Sequence, residues 1–193
     1  MRKVMLAEIP ELRAYNATRD ELRRSIIALK ARRRLHLGTI ITMVFENTDT
    51  VRWQICEMMR AERIATEDGL ASEVAIYNDL IPDDHELSCT LFLELTDDDA
   101  MREWLTKLVG IHDAIEFQLA DGSRVRGRDP HAERLTREEV TAAVHFLKFT
   151  FTAEQVATFR KGPVVVASVH HAYQESITLT TDAHAALAQD FAT

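Results

Sequence analysis

Residues 87–95, LSCTLFLEL, constrain this chain most. Leu87, Cys89, Leu91, Leu93 and Leu95 recur at every second position, and Phe92 falls on the opposite side. A strand turns successive side chains to opposite faces, so this run buries one face against a core. It needs strand neighbours. Residues 39–45 (TIITMVF), 140–151 (VTAAVHFLKFTF), 164–171 and 175–180 supply them, being rich in β-branched and apolar types. The last two flank a turn near Tyr173.

Helical patterns interleave with these strands irregularly. Thr18-Arg19-Asp20-Glu21 reads as a capping box, predicting a helix from 19 to about Leu35, with Leu22, Ile26 and Leu29 as its apolar stripe. Asn47-Thr48-Asp49 predicts a second helix over about 50–65, its core stripe Val51, Ile55, Met58 and Met59. A third runs past Gly69 to about Leu80, where Pro82 ends it. Thr96-Asp97-Asp98-Asp99 opens a fourth to about Val109, with Met101, Leu105 and Leu108 inward. Thr152-Ala153-Glu154-Gln155 caps a fifth that ends at Gly162-Pro163, and Asp182 opens a last one over 183–191. Residues 128–138 form a polar connection.

The segment AIEFQLADGSRVRGRD carries a hairpin signal at Asp121-Gly122. A two-residue turn sets Arg124 and Arg126 opposite Leu119 and Phe117. A longer, three-residue loop with a bulge is expected instead, pairing Leu119 with Val125, Gln118 with Arg126 and Glu116 with Arg128. Strands joined by hairpins among scattered helices give the fold class as α+β, a largely antiparallel or mixed sheet packed with about six helices. A length of 193 residues suits a single domain spanning 1–193.

Composition excludes several function classes. Cys56 and Cys89 both lie in apolar patterns, as free thiols of a reducing compartment do. No signal-peptide pattern and no membrane-length apolar run occur, so the expected location is cytoplasmic. The net charge of −8 is uneven: residues 1–36 hold ten Lys/Arg against four acids, and the rest carries −14. Pairing of the basic helix with the acidic body is favoured over nucleic-acid binding, since glycine loops and binding motifs are missing there. Nucleophile-elbow, phosphate-loop and dinucleotide motifs are absent. No glutamate has a histidine three residues later, which counts against a di-iron carboxylate site, and clustered Cys/His ligands for structural zinc are lacking. No cofactor and no metal are expected. His170 and His171 point to opposite faces of one strand, so only one of them can join His145 in a site. Arg124, Arg126 and Arg128 alternate on one strand and either grip an anion or pair with acids such as Glu116.

The candidate site lies on the second and third helices. Glu46, Gln54, Glu57, Arg60, Glu73, Tyr77 and Asn78 are the residues expected to line it. If the helices pack antiparallel, Glu57 and Glu73 converge near Glu46. Carboxylates beside a phenol and an arginine either form a binding or acid–base pocket or remain a surface ion-pair lattice.

The run Arg32-Arg33, Gly38, Phe45-Glu46, Thr50, Gln54, Glu57-Met58, Glu73, Tyr77-Asn78, Ile81-Pro82, Glu86-Leu87 and Thr90, with Ala143-Val144-His145-Phe146-Leu147, resembles the bacterial family known as domain of unknown function 3501. The resemblance spans most of the chain and carries no catalytic residues. It implies a neighbourhood of rubrerythrin-like and iron–sulfur oxidoreductase-like proteins. The chain itself has no cysteine cluster for such a centre. The expected role is therefore an accessory or partner protein of a redox or oxidative-stress system, with an iron–sulfur or rubrerythrin-like protein as partner and no nucleic acid or membrane. Self-association is a further option. The alternative is a small-molecule-binding protein or enzyme with a carboxylate, tyrosine and arginine pocket in residues 46–78.

Overall fold

A computed structural model describes residues 1–64, 66–132 and 139–191. Among the described residues eight strands form two four-stranded antiparallel sheets. The first has the order β1 (Arg34–Leu37), β2 (Ile41–Phe45), β3 (Glu86–Leu93), β6 (Val144–Thr150). The second has the order β5 (Arg124–Arg126), β4 (Ile115–Gln118), β7 (Val165–His170), β8 (Tyr173–Thr178). The α-helices among the described residues are α1 (Leu12–Ala31), α2 (Thr48–Ala61), α3 (Glu67–Asn78), α4 (Asp98–Lys107), α5 (Ala153–Lys161) and α6 (Thr181–Ala188). The α+β class expected from sequence holds.

The main core fills the space between the sheets. Leu87, Cys89, Leu91 and Leu93 face it as their alternation requires, and Phe45, Phe117, Phe149, Phe151, Phe159 and Phe191 complete it. Phe117 and Phe149 meet edge-on with centroids 4.9 Å apart, a favoured aromatic geometry. A second cluster under α1, α2 and α3 includes Tyr15, Val51, Ile55, Met59, Val74 and Ile81.

Two contacts join the sheets at their edges. Arg128, just past β5, bridges Lys148 on β6. On the other side the Tyr173 hydroxyl donates to the Leu37 carbonyl (2.9 Å) and accepts from the N–H groups of Thr39 (3.0 Å) and Ile40 (3.1 Å). One side chain thus satisfies three backbone groups at the turn between β1 and β2, while the Glu94 N–H meets the Ile40 carbonyl.

Several expectations need correction. Helix α1 begins at Leu12, seven residues before the start at 19 that the apparent capping box predicts, and follows Pro10. Thr18 sits inside the helix, where its hydroxyl turns back to the Ala14 and Tyr15 carbonyls. The helix ends at Ala31, and the chain re-enters as β1, a strand not foreseen. Met101 is exposed rather than inward. The turn between β7 and β8 falls at 171–172, beside Tyr173 as expected, but Thr180, not Asp182, caps α6. The hairpin has the expected three-residue loop, with Gly122 left-handed (φ 84), but its register differs. Leu119 closes on Ser123, Phe117 opposes Val125, and Glu116 opposes Arg126. That register buries Phe117 with Val125 and leaves two arginines beside one carboxylate. The polar connection falls partly outside the described residues, at 133–138.

Candidate functional site

The sequence-selected residues divide into separate groups. Glu46 directly follows β2 and is buried (2% exposed). Its carboxylate accepts from Thr50 Oγ1 (2.5 Å), Thr90 Oγ1 (2.8 Å) and Gln54 Nε2 (3.1 Å). Three neutral donors hold it, and no ion pair to it occurs among the described residues. The adjoining void, lined by Glu46, Ser88, Cys89, Phe146 and Lys148, measures only about 10 Å³, room for one water and no substrate.

Glu57 turns the other way, toward α1. It accepts from Tyr15 Oη (2.6 Å), Arg19 Nε (2.8 Å) and Arg19 Nη2 (2.7 Å), and Arg60 Nε lies 3.5 Å away. The Arg19 hydrogen bonds hold its carboxyl down at about 2, against burial. Burial and the Glu57 carboxylate together push the Tyr15 phenol above its ordinary value.

Glu73 and Tyr77 neighbour each other on α3. Burial, then the charges of Glu73 and Glu62, raise the Tyr77 phenol. Asn78 serves the N-terminal segment: it accepts from Val4 N (2.8 Å) and donates to Val4 O (2.9 Å). Glu57 and Glu73 therefore do not converge on Glu46 through any hydrogen bond or ion pair among the described residues, because α1 claims Glu57.

What sequence reasoning overlooked is the face made by α1 itself. Of its twenty residues only Tyr15 is buried. Helix α1 lies against α2 at one end, fastened by Glu57 and by the edge-on contact of Tyr15 with Trp53 (5.9 Å). Beyond that contact the helices enclose an open groove of about 560 Å³, lined by Tyr15, Leu22, Ile26, Leu29, Trp53 and Cys56 among others. Leu22 is 39% and neighbouring Ile27 57% exposed. The apolar stripe read from sequence is present, yet half of it covers nothing. Among the described residues Arg13, Arg23, Arg24, Lys30 and Arg32 of this segment have no carboxylate partner, so the expected pairing with the acidic body is limited to Lys3 with Asp83, Arg19 with Glu57 and Arg33 with Asp190, while Arg2 pairs with Glu8 inside the segment.

A second polar cluster is enclosed. His145 (0% exposed) directs Nδ1 at Asp129 Oδ2 (3.2 Å) and Nε2 at Thr141 Oγ1 (2.9 Å), and His112 stacks on its ring at 5.3 Å. Burial alone would raise Asp129, but the hydrogen bonds from His145 and from the backbone N–H groups of His131 and Phe146 hold it below its ordinary value. The connectivity is that of a hydroxyl, a base and an orienting acid. The complete burial of His145 leaves no approach for a substrate. His145 thus pairs with His112, while His170 binds the Val109 carbonyl (3.0 Å).

Both cysteines are free and buried. Burial pushes Cys56 up to about 11 and Cys89 well above the ordinary thiol value, so neither forms a thiolate nucleophile near neutrality. No three His, Cys, Asp or Glu side chains among the described residues gather so as to hold a metal ion. No described helix is long and apolar enough to cross a membrane.

The family pattern "Protein of unknown function (DUF3501)" matches residues 3–191. The chain belongs to the DUF3501 family. The chain is similar to a novel protein of unknown function from Burkholderia pseudomallei K96243, known from a crystal structure and 32% identical to it. The match covers 98% of this chain and 99% of that one, with a TM-score of 0.90. No curated protein matches the chain. In the described residues of this DUF3501 chain two open grooves have largely apolar linings: the one between α1 and α2, and one of about 790 Å³ lined by Leu6, Ile9, Leu12, Met59, Ile64 and Leu70 among others.

Proposed function

We propose that this protein is a non-catalytic accessory protein whose α1–α2 groove docks an acidic amphipathic helix of a companion protein. The observation that carries this reading is the uncovered stripe Leu22, Ile26 and Leu29, on a helix whose Arg23, Arg24 and Lys30 have no carboxylate partner among the described residues, while the charged residues lining the groove itself, Glu8, Asp49 and Arg52, are paired with Arg2 or with each other. An amphipathic helix buries its apolar face in such a groove at i, i+4 and i+7 spacing. Acidic flanks on that helix complement the unpaired cations of α1 and speed encounter. The family resemblance points to a redox protein of the iron–sulfur or rubrerythrin-like class as companion, in an oxidative-stress setting of the cytoplasm. Buried thiols suit a protein that assists such chemistry without carrying electrons itself.

The alternative, a small-molecule site in residues 46–78, draws support from the buried Glu46–Gln54 pair. The void of about 10 Å³ beside it weighs against that reading.

Trp53 lines the groove and reports on it. The test is a fluorescence titration with a synthetic helix of about five turns bearing leucines at i, i+4 and i+7 and glutamates at its flanks. A saturable change in Trp53 emission, absent for a lysine-flanked version, is expected. No change, or an equal change with both peptides, rejects the proposal.

A further inference from the structure

A further groove lies where β5 meets β6. It measures about 560 Å³ and is lined by Arg124, Arg126, Arg128 and Lys148, with Thr150 and Gln155 at its rim and Asp113 as its acidic member. Arg124 and Arg126 leave one face of β5 while Val125 between them enters the core. Their Cα atoms are about 6.8 Å apart, as alternate strand residues are. Gly127 makes the continuation possible: a Cβ there would press on the Phe149 ring at 2.8 Å. Arg128 is then locked to β6 by paired backbone hydrogen bonds with Lys148 (3.0 and 2.9 Å). The backbone thus holds three guanidinium stems in a fixed row.

A buried carboxylate prepares the row electrostatically. Glu116 is fully buried (0% exposed) and faces β5 from β4. Its Oε1 accepts from Arg124 Nη1 and Gln118 Nε2, both at 2.9 Å. Its Oε2 accepts no hydrogen bond and sits 3.6 Å from Arg126 Nε. Both guanidiniums are drawn to Glu116, yet their side chains remain 60% and 69% exposed, so most of their five N–H donors stay free. Arg128 has no ion pair among the described residues. Lys148 is already shared between Asp79 (3.6 Å) and Glu86 (3.7 Å).

Here the local charge is positive on a body that is otherwise strongly acidic. Arginine forks match the oxygens of phosphate groups in bidentate fashion. A row of three such forks suits an anion with several phosphates in line. Aromatic side chains are missing from the lining, so no platform stacks a base. From this geometry we infer that the β5–β6 groove is a binding site for a short linear polyphosphate chain, recognised through its phosphate oxygens. This inference does not depend on the α1–α2 groove.

Isothermal titration of the full chain with inorganic tripolyphosphate, at constant ionic strength, tests it. Saturable one-to-one binding is expected, tighter than for pyrophosphate or orthophosphate. Arg128→Gln is expected to weaken it at least tenfold with the melting temperature unchanged, and Arg126→Gln to weaken it as well. A nucleoside triphosphate binding as tightly as tripolyphosphate identifies the phosphate chain alone as the ligand, and a tighter one assigns a nucleotide source. Absence of binding, equal binding of sulfate, or full binding by Arg128→Gln overturns the site. Binding of a single-stranded oligonucleotide without tripolyphosphate binding overturns it in favour of a nucleic-acid surface.

Discussion

Arg19 Nη2 donates to Glu57 Oε2 at 2.7 Å, the charged half of a clamp that Tyr15 completes from the same helix. This clamp fixes α1 on α2 and so determines where the groove opens. Because the Glu57 pKa is depressed to about 2, its contribution to stability is present above the unfolded-state value near 4.5 and is lost as pH falls through about 2. With Glu57 about a quarter exposed, solvent screening reduces the contribution to roughly 1–2 kcal/mol. Glu57→Gln should therefore lower stability by that amount at pH 7 in urea unfolding. The gap from the wild type should close progressively as the pH is lowered from about 4.5 toward 2.

Arg33 is nearly as buried as any core leucine. It donates to both carboxylate oxygens of Asp190 and to the carbonyls of Phe45 (2.9 Å), Glu46 (3.0 Å) and Ala186 (3.3 Å). Burial pushes Asp190 upward, and the guanidinium opposes it. Arg33→Met leaves a buried acid and three carbonyls unanswered, a loss of about 3–5 kcal/mol. Adding Asp190→Leu should restore part of it, which a double-mutant cycle by denaturant unfolding measures.

Tyr173 and Gly38 close the gap between β8 and β1. Tyr173→Phe removes the partner of two backbone N–H groups and one carbonyl, costing about 1–3 kcal/mol. Gly38→Ala should cost more. Gly38 has φ 66, and an added Cβ would collide with the Tyr173 hydroxyl. Thermal melts of the two variants should rank in that order.

The thiols provide a separate check. Cys56 and Cys89 are buried with raised pKa, so an aromatic disulfide reagent at pH 7 should label neither in the native protein and both after unfolding.

Sequence pattern disclosed the parts of this fold that obey one period. The alternation of Leu87 to Leu93 placed β3 and its buried face, and Thr152 with Gln155 marked the start of α5. It misled where a local signal was outweighed. Thr18 reads as a cap, but packing of Tyr15 against Trp53 carries the helix back to Leu12. The hairpin register depended on which apolar residue would face Val125, and Phe117 takes that place in the core. Within the candidate site, Glu46 and Gln54 were legible as neighbours at a strand end and the helix after it. Glu57 was not, since its partner Arg19 is 38 residues away and no spacing encodes that contact. The uncovered stripe on α1 reads like any core stripe, because sequence alone does not say which apolar face lacks a cover.

The central claim is that the α1–α2 groove receives an acidic amphipathic helix. Calorimetric titration of the glutamate-flanked peptide into the wild type and into Leu22→Asp tests it most directly. The account predicts saturable binding that weakens as salt is raised and falls at least tenfold in Leu22→Asp, with the fold of the variant intact by circular dichroism. Equal affinity for both proteins, or a wild-type dimer that Leu22→Asp dissolves while the peptide fails to bind, would contradict it, the latter because a second copy would then fill the groove.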